Sequence, residues 1–122
     1  MIIAQSLLDA IHLMLNNLNI VNYFTLTPHI NTNDYITFEY VTGQTYESFH
    51  FTQEYLLISF HLYANTMSTI STMEDQLTTA LKTLSLAQYR LICKEKMNSF
   101  DVPVIDYFYK IIDYRFLIEK DV

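Results

Sequence analysis

The sequence predicts an α+β fold in which two helices pack on one face of a mainly antiparallel sheet. Two stretches carry apolar residues at the three- and four-residue spacing of an amphipathic helix, and several others alternate apolar with polar residues as half-buried strands do. The strands come in runs that the helices separate, which is typical of antiparallel pairing. The predicted order is α-β-β-β-α-β-β, over a single domain spanning residues 1–122.

The first two predicted elements are a helix over residues 3–15 and a short strand over residues 20–27. Asparagines at positions 16, 17 and 19 end the helix, because asparagine favours helix ends and turns. Pro28 ends the strand, since proline cannot donate a hydrogen bond to a ladder, and a polar loop then runs to Asp34. The apolar stripe of the helix consists of Ile3, Leu7, Ile11, Met14 and Leu18.

A long β-hairpin follows, with predicted strands over residues 35–41 and 53–64. Both strands alternate apolar and polar residues, so one face of each is expected to be buried. The stretch between them, residues 42–53, is mostly polar and begins near Gly43, the single glycine of the chain. We therefore predict a long loop at the tip of this hairpin, and expect the hairpin edges to be free to pair with neighbouring subunits.

The remaining elements are a second helix, which follows the strand break at Asn65-Thr66 and ends near residue 84, and two strands over residues 88–97 and 105–118, separated by a turn at Pro103. The sequence Ser71-Thr72-Met73-Glu74 matches a capping box and is a candidate start for the helix. The core is predicted to contain Leu56, Ile58, Phe60, Leu62, Leu77, Leu81, Phe116 and Ile118.

Composition narrows the function classes. The formal net charge is −6 and the seven Lys and Arg residues are scattered, so the chain is not expected to bind nucleic acid specifically. A single cysteine cannot form an internal disulfide, which favours a reducing, intracellular compartment. Neither an export signal nor an apolar run long enough to span a membrane is visible, so we expect no membrane partner.

The sequence offers no pattern typical of a catalytic, metal or cofactor site, and we expect a protein that is not an enzyme. The four histidines are widely separated, and neither they nor Cys93 have the spacing of metal ligands. Cys93 alternates with Leu91 in a predicted strand, which indicates a buried structural thiol on the Leu91 face. The late carboxylates Asp101, Asp106, Asp113, Glu119 and Asp121 are interpreted as a solvated strand face.

One segment suggests an interaction site. Tyr46, Phe49 and Phe51 lie in the polar stretch between the hairpin strands, and aromatic residues in long loops often contact partners. We therefore name these three as candidate protein-interface residues. The alternative is that Phe49 and Phe51 simply begin the second strand of the hairpin.

The whole pattern resembles a known family. A short apolar strand, a polar turn, a long strand and a helix occupy residues 35–81, one amphipathic helix precedes them, and strands around residues 89–93 and 114–118 follow. In length, element order and hydrophobic pattern, the chain is similar to the tail-completion, or tail-terminator, proteins of long-tailed bacteriophages and of related prophages and gene-transfer agents.

This resemblance implies a ring, typically a hexamer, at the head-proximal end of the virion tail, assembled in the host cytoplasm. Such a ring binds the tail tube protein, stops tube growth, provides the surface for the head-completion or connector protein and leaves a channel for DNA. The family implies no catalytic residues. Other candidates are a different phage neck component and a small cytosolic α+β ligand-binding domain or enzyme.

Overall fold

A computed structural model of the protein describes residues 2–24, 34–47 and 51–121. The element order is the predicted one, so the α+β prediction is confirmed. The elements are α1 (Ile2–Asn17), β1 (Val21–Phe24), β2 (Tyr35–Glu47), β3 (Phe51–Ala64), α2 (Met67–Thr83), β4 (Arg90–Val102) and β5 (Phe108–Asp121).

The five strands form one sheet in the order β1-β2-β3-β5-β4. Strand β1 runs parallel to β2, and every other neighbouring pair is antiparallel. The edges of the sheet are therefore β1 and β4. The expectation of free hairpin edges is wrong, because β2 pairs with β1 and β3 pairs with β5.

Both helices pack on the same face of the sheet and bury one apolar cluster with it. All eight predicted core side chains belong to this cluster and are at most 1% exposed. The alternation of apolar and polar residues in the strands also determines which face of the sheet is buried, since a one-residue shift in register would turn the whole apolar set toward solvent. Within the described residues, no helix has the length and apolar character needed to span a membrane.

Helix α1 ends as its asparagines predict. Asn19 adopts a left-handed backbone conformation with φ of 59°. The backbone N–H of Ile20 donates to the carbonyl of Leu15 at 3.0 Å, and the N–H of Asn19 donates to the carbonyl of Asn16 at 3.0 Å. This pair of bonds is a Schellman motif, for which asparagine is the best substitute for glycine.

Helix α2 begins directly after Asn65-Thr66, as the predicted strand break indicated. Thr66 is the N-cap, and its hydroxyl accepts a hydrogen bond from the backbone N–H of Thr69 at 3.2 Å. The segment around Ser71 and Glu74 is already helical, so the capping-box match does not mark the start of the helix. Glu74 instead contacts the sheet.

The predicted loop between the hairpin strands is largely strand. The ladder of β2 and β3 continues from Thr42 opposite Leu57 to Glu47 opposite Thr52, after a bulge at Val41. Polar threonines suit this ladder, because the hydrogen bonds of a sheet are made by the backbone. Only residues 48–50 separate the strands, and they lie outside the described residues.

Gly43 lies within β2 and not in a turn, and its missing side chain leaves room for close packing. A Cβ at this position would meet the hydroxyl of Tyr40 and would lie 2.9 Å from Cδ2 of Leu56. The glycine thus lets the Tyr40 side chain lie across the strand. The final two strands also end later than predicted, on either side of the expected turn at Pro103.

Candidate interaction surface

The side of the sheet opposite the helices, here called the open face, carries a row of stacked tyrosines. Tyr35, Tyr63 and Tyr109 follow one another across β2, β3 and β5. Their ring centroids are 4.6 and 4.5 Å apart, with interplanar angles of 15° and 10°. Tyr23 of β1 meets Tyr35 edge-on at 5.9 Å. Stacking leaves Tyr35 and Tyr63 only 1% and 5% exposed, although no described helix covers this face.

A buried polar cluster lies beside the tyrosine row. Nε2 of His61 is 3.4 Å from Oε1 of Glu39 and 3.3 Å from Oγ of Ser59. The Ser59 hydroxyl donates to Oδ1 of Asp113 at 2.7 Å. Nδ1 of His61 is hydrogen-bonded to the hydroxyl of Tyr109, and the two rings stack at 5.7 Å. Five polar side chains thereby connect β2, β3 and β5.

Burial decides the protonation state of this cluster. Desolvation lowers the pKa of His61, although the negative charges of Glu39 and Asp113 act in the opposite direction. Desolvation also raises the pKa of Tyr109 well above its usual value, with further contributions from Tyr63 and Tyr107. At neutral pH the histidine and the tyrosine are therefore both uncharged.

The cluster lacks the arrangement of a catalytic triad. In a triad the acid orients the histidine and the histidine accepts the proton of the serine. Here the Ser59 hydroxyl donates to Asp113 instead, so the serine is not positioned for activation by His61. Within the described ranges, no group of three or more His, Cys, Asp or Glu side chains is placed to hold a metal ion.

The sequence did not predict this cluster, and the predicted exposure of two carboxylates on the same face was wrong. The prediction of a solvated carboxylate face is wrong for Asp113, which is half-buried, and for Glu119, which is buried. Glu119 forms an ion pair with Arg90 and accepts a hydrogen bond from Nε2 of Gln53 at 2.9 Å. These hydrogen bonds and the positive charge lower the pKa of Glu119. The polar positions of alternating strands were the available signal, but their partners depend on strand order.

Cys93 does not share a face with Leu91. On β4, Leu91 pairs with Ile118 and Cys93 pairs with Leu117, so Ile92 is an extra, bulged residue. The bulge moves Cys93 to the open face, where it is half-buried. The predicted buried thiol on the core side is therefore wrong, because alternation fails across a bulge.

The three candidate interface residues are only partly placed. Tyr46 lies in β2 opposite Gln53, and Phe51 is the first residue of β3, opposite Asp121. The alternative interpretation is thus correct for Phe51, which begins the long strand. Phe49 lies outside the described residues, and the interface role of all three stays a prediction.

A second candidate surface emerges at the two edges of the sheet. Half of the exposed large apolar side chains among the described residues lie on the edge strands, and each is 37–51% exposed. Edge strands are usually protected by charged residues and bulges. In β4 the two bulged positions themselves carry apolar side chains. The exposed set is Val21, Tyr23 and Phe24 on β1, and Ile92, Met97 and Phe100 on β4.

Lys and Arg residues are absent from the β1 edge and present on the β4 edge. Residues 1–81 contain seven of the thirteen acids and none of the seven Lys and Arg residues. Helix α1 and strands β1, β2 and β3 are formed by residues 1–81, whereas β4 carries Arg90, Lys94 and Lys96. The cations are thus scattered only along the last third of the chain. The sequence shows this unequal distribution of Lys and Arg along the chain. The fold places its two ends at opposite edges of the sheet, because β1 and β4 are the outer strands.

A groove of about 530 Å³ lies on the open face next to the bulges of β2 and β4. Arg115 is the charged residue that lines this groove, and its guanidinium lies 5.4 Å from the ring centroid of Tyr55. Nη2 of Arg115 also donates to Glu95 at 2.7 Å. The arginine is therefore already paired, and the groove offers no free charge from this residue to a small anionic ligand.

Comparison with known proteins gives a match in fold to a solved structure. No protein-family model matches the chain, and no curated protein matches it. Among solved structures, the fold matches a chain of the "Virion of native gene transfer agent (GTA) particle" with a TM-score of 0.64 and 12% sequence identity. The match covers 98% of this chain and 97% of that chain. The protein therefore shares its fold, over almost the full length of both chains, with a component of a gene transfer agent virion.

Proposed function

We propose that this chain is a virion structural protein that caps the tail tube, ends tail polymerisation and provides the surface for head joining. The observation that carries the proposal is the full-length match to a chain of a gene transfer agent virion. An almost complete overlap in both directions favours a shared assembly role over a shared substructure. The resemblance of the element order to tail-terminator proteins supports the finer assignment.

In this proposal the protein works by binding its partners in a defined arrangement and does not catalyse a reaction. Its partners are further copies of itself in a ring, taken as a hexamer, the tail tube protein below and the head-completion or connector protein above. Stacked tyrosines and the polar cluster around His61 connect β2, β3 and β5 on the open face, which suits a template for assembly. A net charge of −6 suits a ring through which DNA passes without adhering.

The test is a deletion of the gene in the particle-producing strain, followed by electron microscopy. We expect tails of uncontrolled length that fail to join filled heads, and complementation with the wild-type gene should restore normal particles. Normal-length free tails beside heads that leak DNA would assign the protein to a different neck position. Normal, infectious or gene-transferring particles without the gene would refute the proposal.

A further inference from the structure

We propose that copies of this chain join head to tail, with the β4 edge of one copy pairing antiparallel with the β1 edge of the next. The inference rests on the proposed function in one respect, because it explains how the proposed ring closes. It replaces the hairpin edges expected from the sequence with the two strands that are at the edges of the sheet.

Strand direction permits this pairing. Strands β1, β2 and β5 run one way along the sheet, and β3 and β4 run the other way. If neighbouring copies are related by rotation about an axis along the strands, all copies point the same way. The β4 edge of one copy then faces the β1 edge of the next in the antiparallel sense, and the sheet can continue from copy to copy.

Strands β1 and β4 each have backbone hydrogen-bonding groups that a strand of a neighbouring copy could pair with. None of the described strands pairs with the outer side of β1 or β4, so each edge presents backbone N–H and C=O groups. Apolar side chains accompany these groups on both edges, including Phe24 and Phe100, which are 49% and 48% exposed. A β-pairing with apolar contacts on either side is a common mode of protein recognition.

Charge favours two different edges meeting over two identical edges. The β1 side, with α1 and β2, carries Asp9, Asp34 and Glu39 and has no Lys or Arg. The β4 strand carries Arg90, whose side chain is 71% exposed, with Lys94 and Lys96, and also Glu95 and Asp101, so its net charge is +1 (three cations minus two acids). A contact between β1 and β4 places the acidic side against this weakly positive strand, whereas β1 against β1 would place acids opposite acids.

The decisive experiment uses two variants that each lose one edge. The β1 variant carries Val21→Asp and Phe24→Asp, and the β4 variant carries Ile92→Asp and Phe100→Asp. Multi-angle light scattering after size exclusion measures the mass of wild type, of each variant alone, and of an equimolar mixture. Leu13→Asp on α1 is the matched control, because Leu13 is 61% exposed and lies on neither edge. Circular dichroism checks that every variant is folded.

A head-to-tail interface makes a specific prediction for the mixture. Wild type and the control should form the ring, and each edge variant alone should be a monomer. The mixture should form a one-to-one dimer and nothing larger, because only one intact β1 edge and one intact β4 edge remain to meet. If a double variant unfolds, the single substitutions Val21→Asp and Ile92→Asp provide the same comparison, with at least a tenfold weaker association expected.

The alternatives give different results. Rings that persist in both edge variants would overturn the edge pairing while leaving the proposed function in place. A dimer formed by one variant alone would indicate identical edges meeting, which also overturns the inference. Wild-type protein that stays monomeric, both alone and with purified tail tube protein, would refute the ring and with it the proposed function.

Discussion

The ion cluster around Glu74 joins helix α2 to the last two strands and allows a quantitative test. Oε1 of Glu74 accepts from Nζ of Lys110 at 2.6 Å, and Oε2 accepts from Nζ of Lys96 at 3.1 Å. The Glu74 side chain is only 16% exposed, so water screens these contacts incompletely. Without the carboxylate, two ammonium groups would lie next to each other under the helix.

We predict that Glu74→Gln lowers the free energy of unfolding by about 1–2 kcal/mol at pH 7. Hydrogen bonds to charged groups contribute roughly 1.5–3 kcal/mol, and partial exposure of the lysines reduces that value. Thermal unfolding increases the entropy by about 2.1 cal/mol/K per residue, which gives about 0.26 kcal/mol/K for 122 residues. A loss of about 1.5 kcal/mol therefore corresponds to a decrease in Tm of about 6 °C.

The pH dependence identifies the cause. Burial raises the pKa of Glu74, but the hydrogen bonds and charges of Lys110 and Lys96 outweigh this effect, so the pKa lies below its ordinary value of 4.5. The stabilisation is then complete above the unfolded-state pKa and is lost as the pH falls through the folded-state pKa. Calorimetry should show the Tm difference at pH 7 and its disappearance near pH 3.

Asp75→Asn is the matched control, because Asp75 is the exposed neighbour of Glu74 on the same helix. It should change Tm by no more than about 2 °C, as expected for a surface substitution. A Glu74→Gln variant as stable as wild type at pH 7, or equally destabilised at pH 7 and pH 3, would contradict this account.

Three further predictions concern the candidate sites. Replacing Tyr46, Phe49 and Phe51 together with serine should weaken ring formation or tail capping, and normal tails in a complemented null mutant would exclude that role. Cys93→Ser should leave assembly unchanged, as seen by light scattering, whereas loss of assembly in a folded variant would contradict a purely structural thiol. The lowered pKa of His61 means that folding favours its neutral form, so stability should be complete above about pH 6.5 and fall below it. His61→Gln should flatten this decrease in Tm between pH 7 and pH 5, and an unchanged slope would assign it to other groups.

Local pattern was sufficient for the elements and the core. The periods of 3.6 and 2 residues are properties of short segments, so the helices, the strand alternation and residues such as Phe60 and Leu81 were predictable without knowledge of the fold. The end of α1 was predictable for the same reason, because Asn19 acts through its own backbone conformation.

Three of the errors share one cause, which is that pairing between distant segments overrides local signals. The polar residues after Val41 form strand because β3 supplies their hydrogen bonds. Cys93 changes face because Ile92 is bulged against β5. Asp113 is half-buried because Ser59 lies beside it on the neighbouring strand. Each outcome depends on a register that the neighbouring strand determines.

The sequence alone therefore determined the element order, the two helix faces, the buried stripes of β3 and β5 and the unequal distribution of charge along the chain. Only the tertiary structure decided that β1 and β4 are the edges, that the open face carries a polar cluster around His61, and that the Lys and Arg residues of the sheet lie on β5 and β4. The physical reason is that strand order is set by contacts between segments far apart in sequence. Amphipathic periodicity specifies which side of a strand is buried, but it does not specify which strand lies beside it.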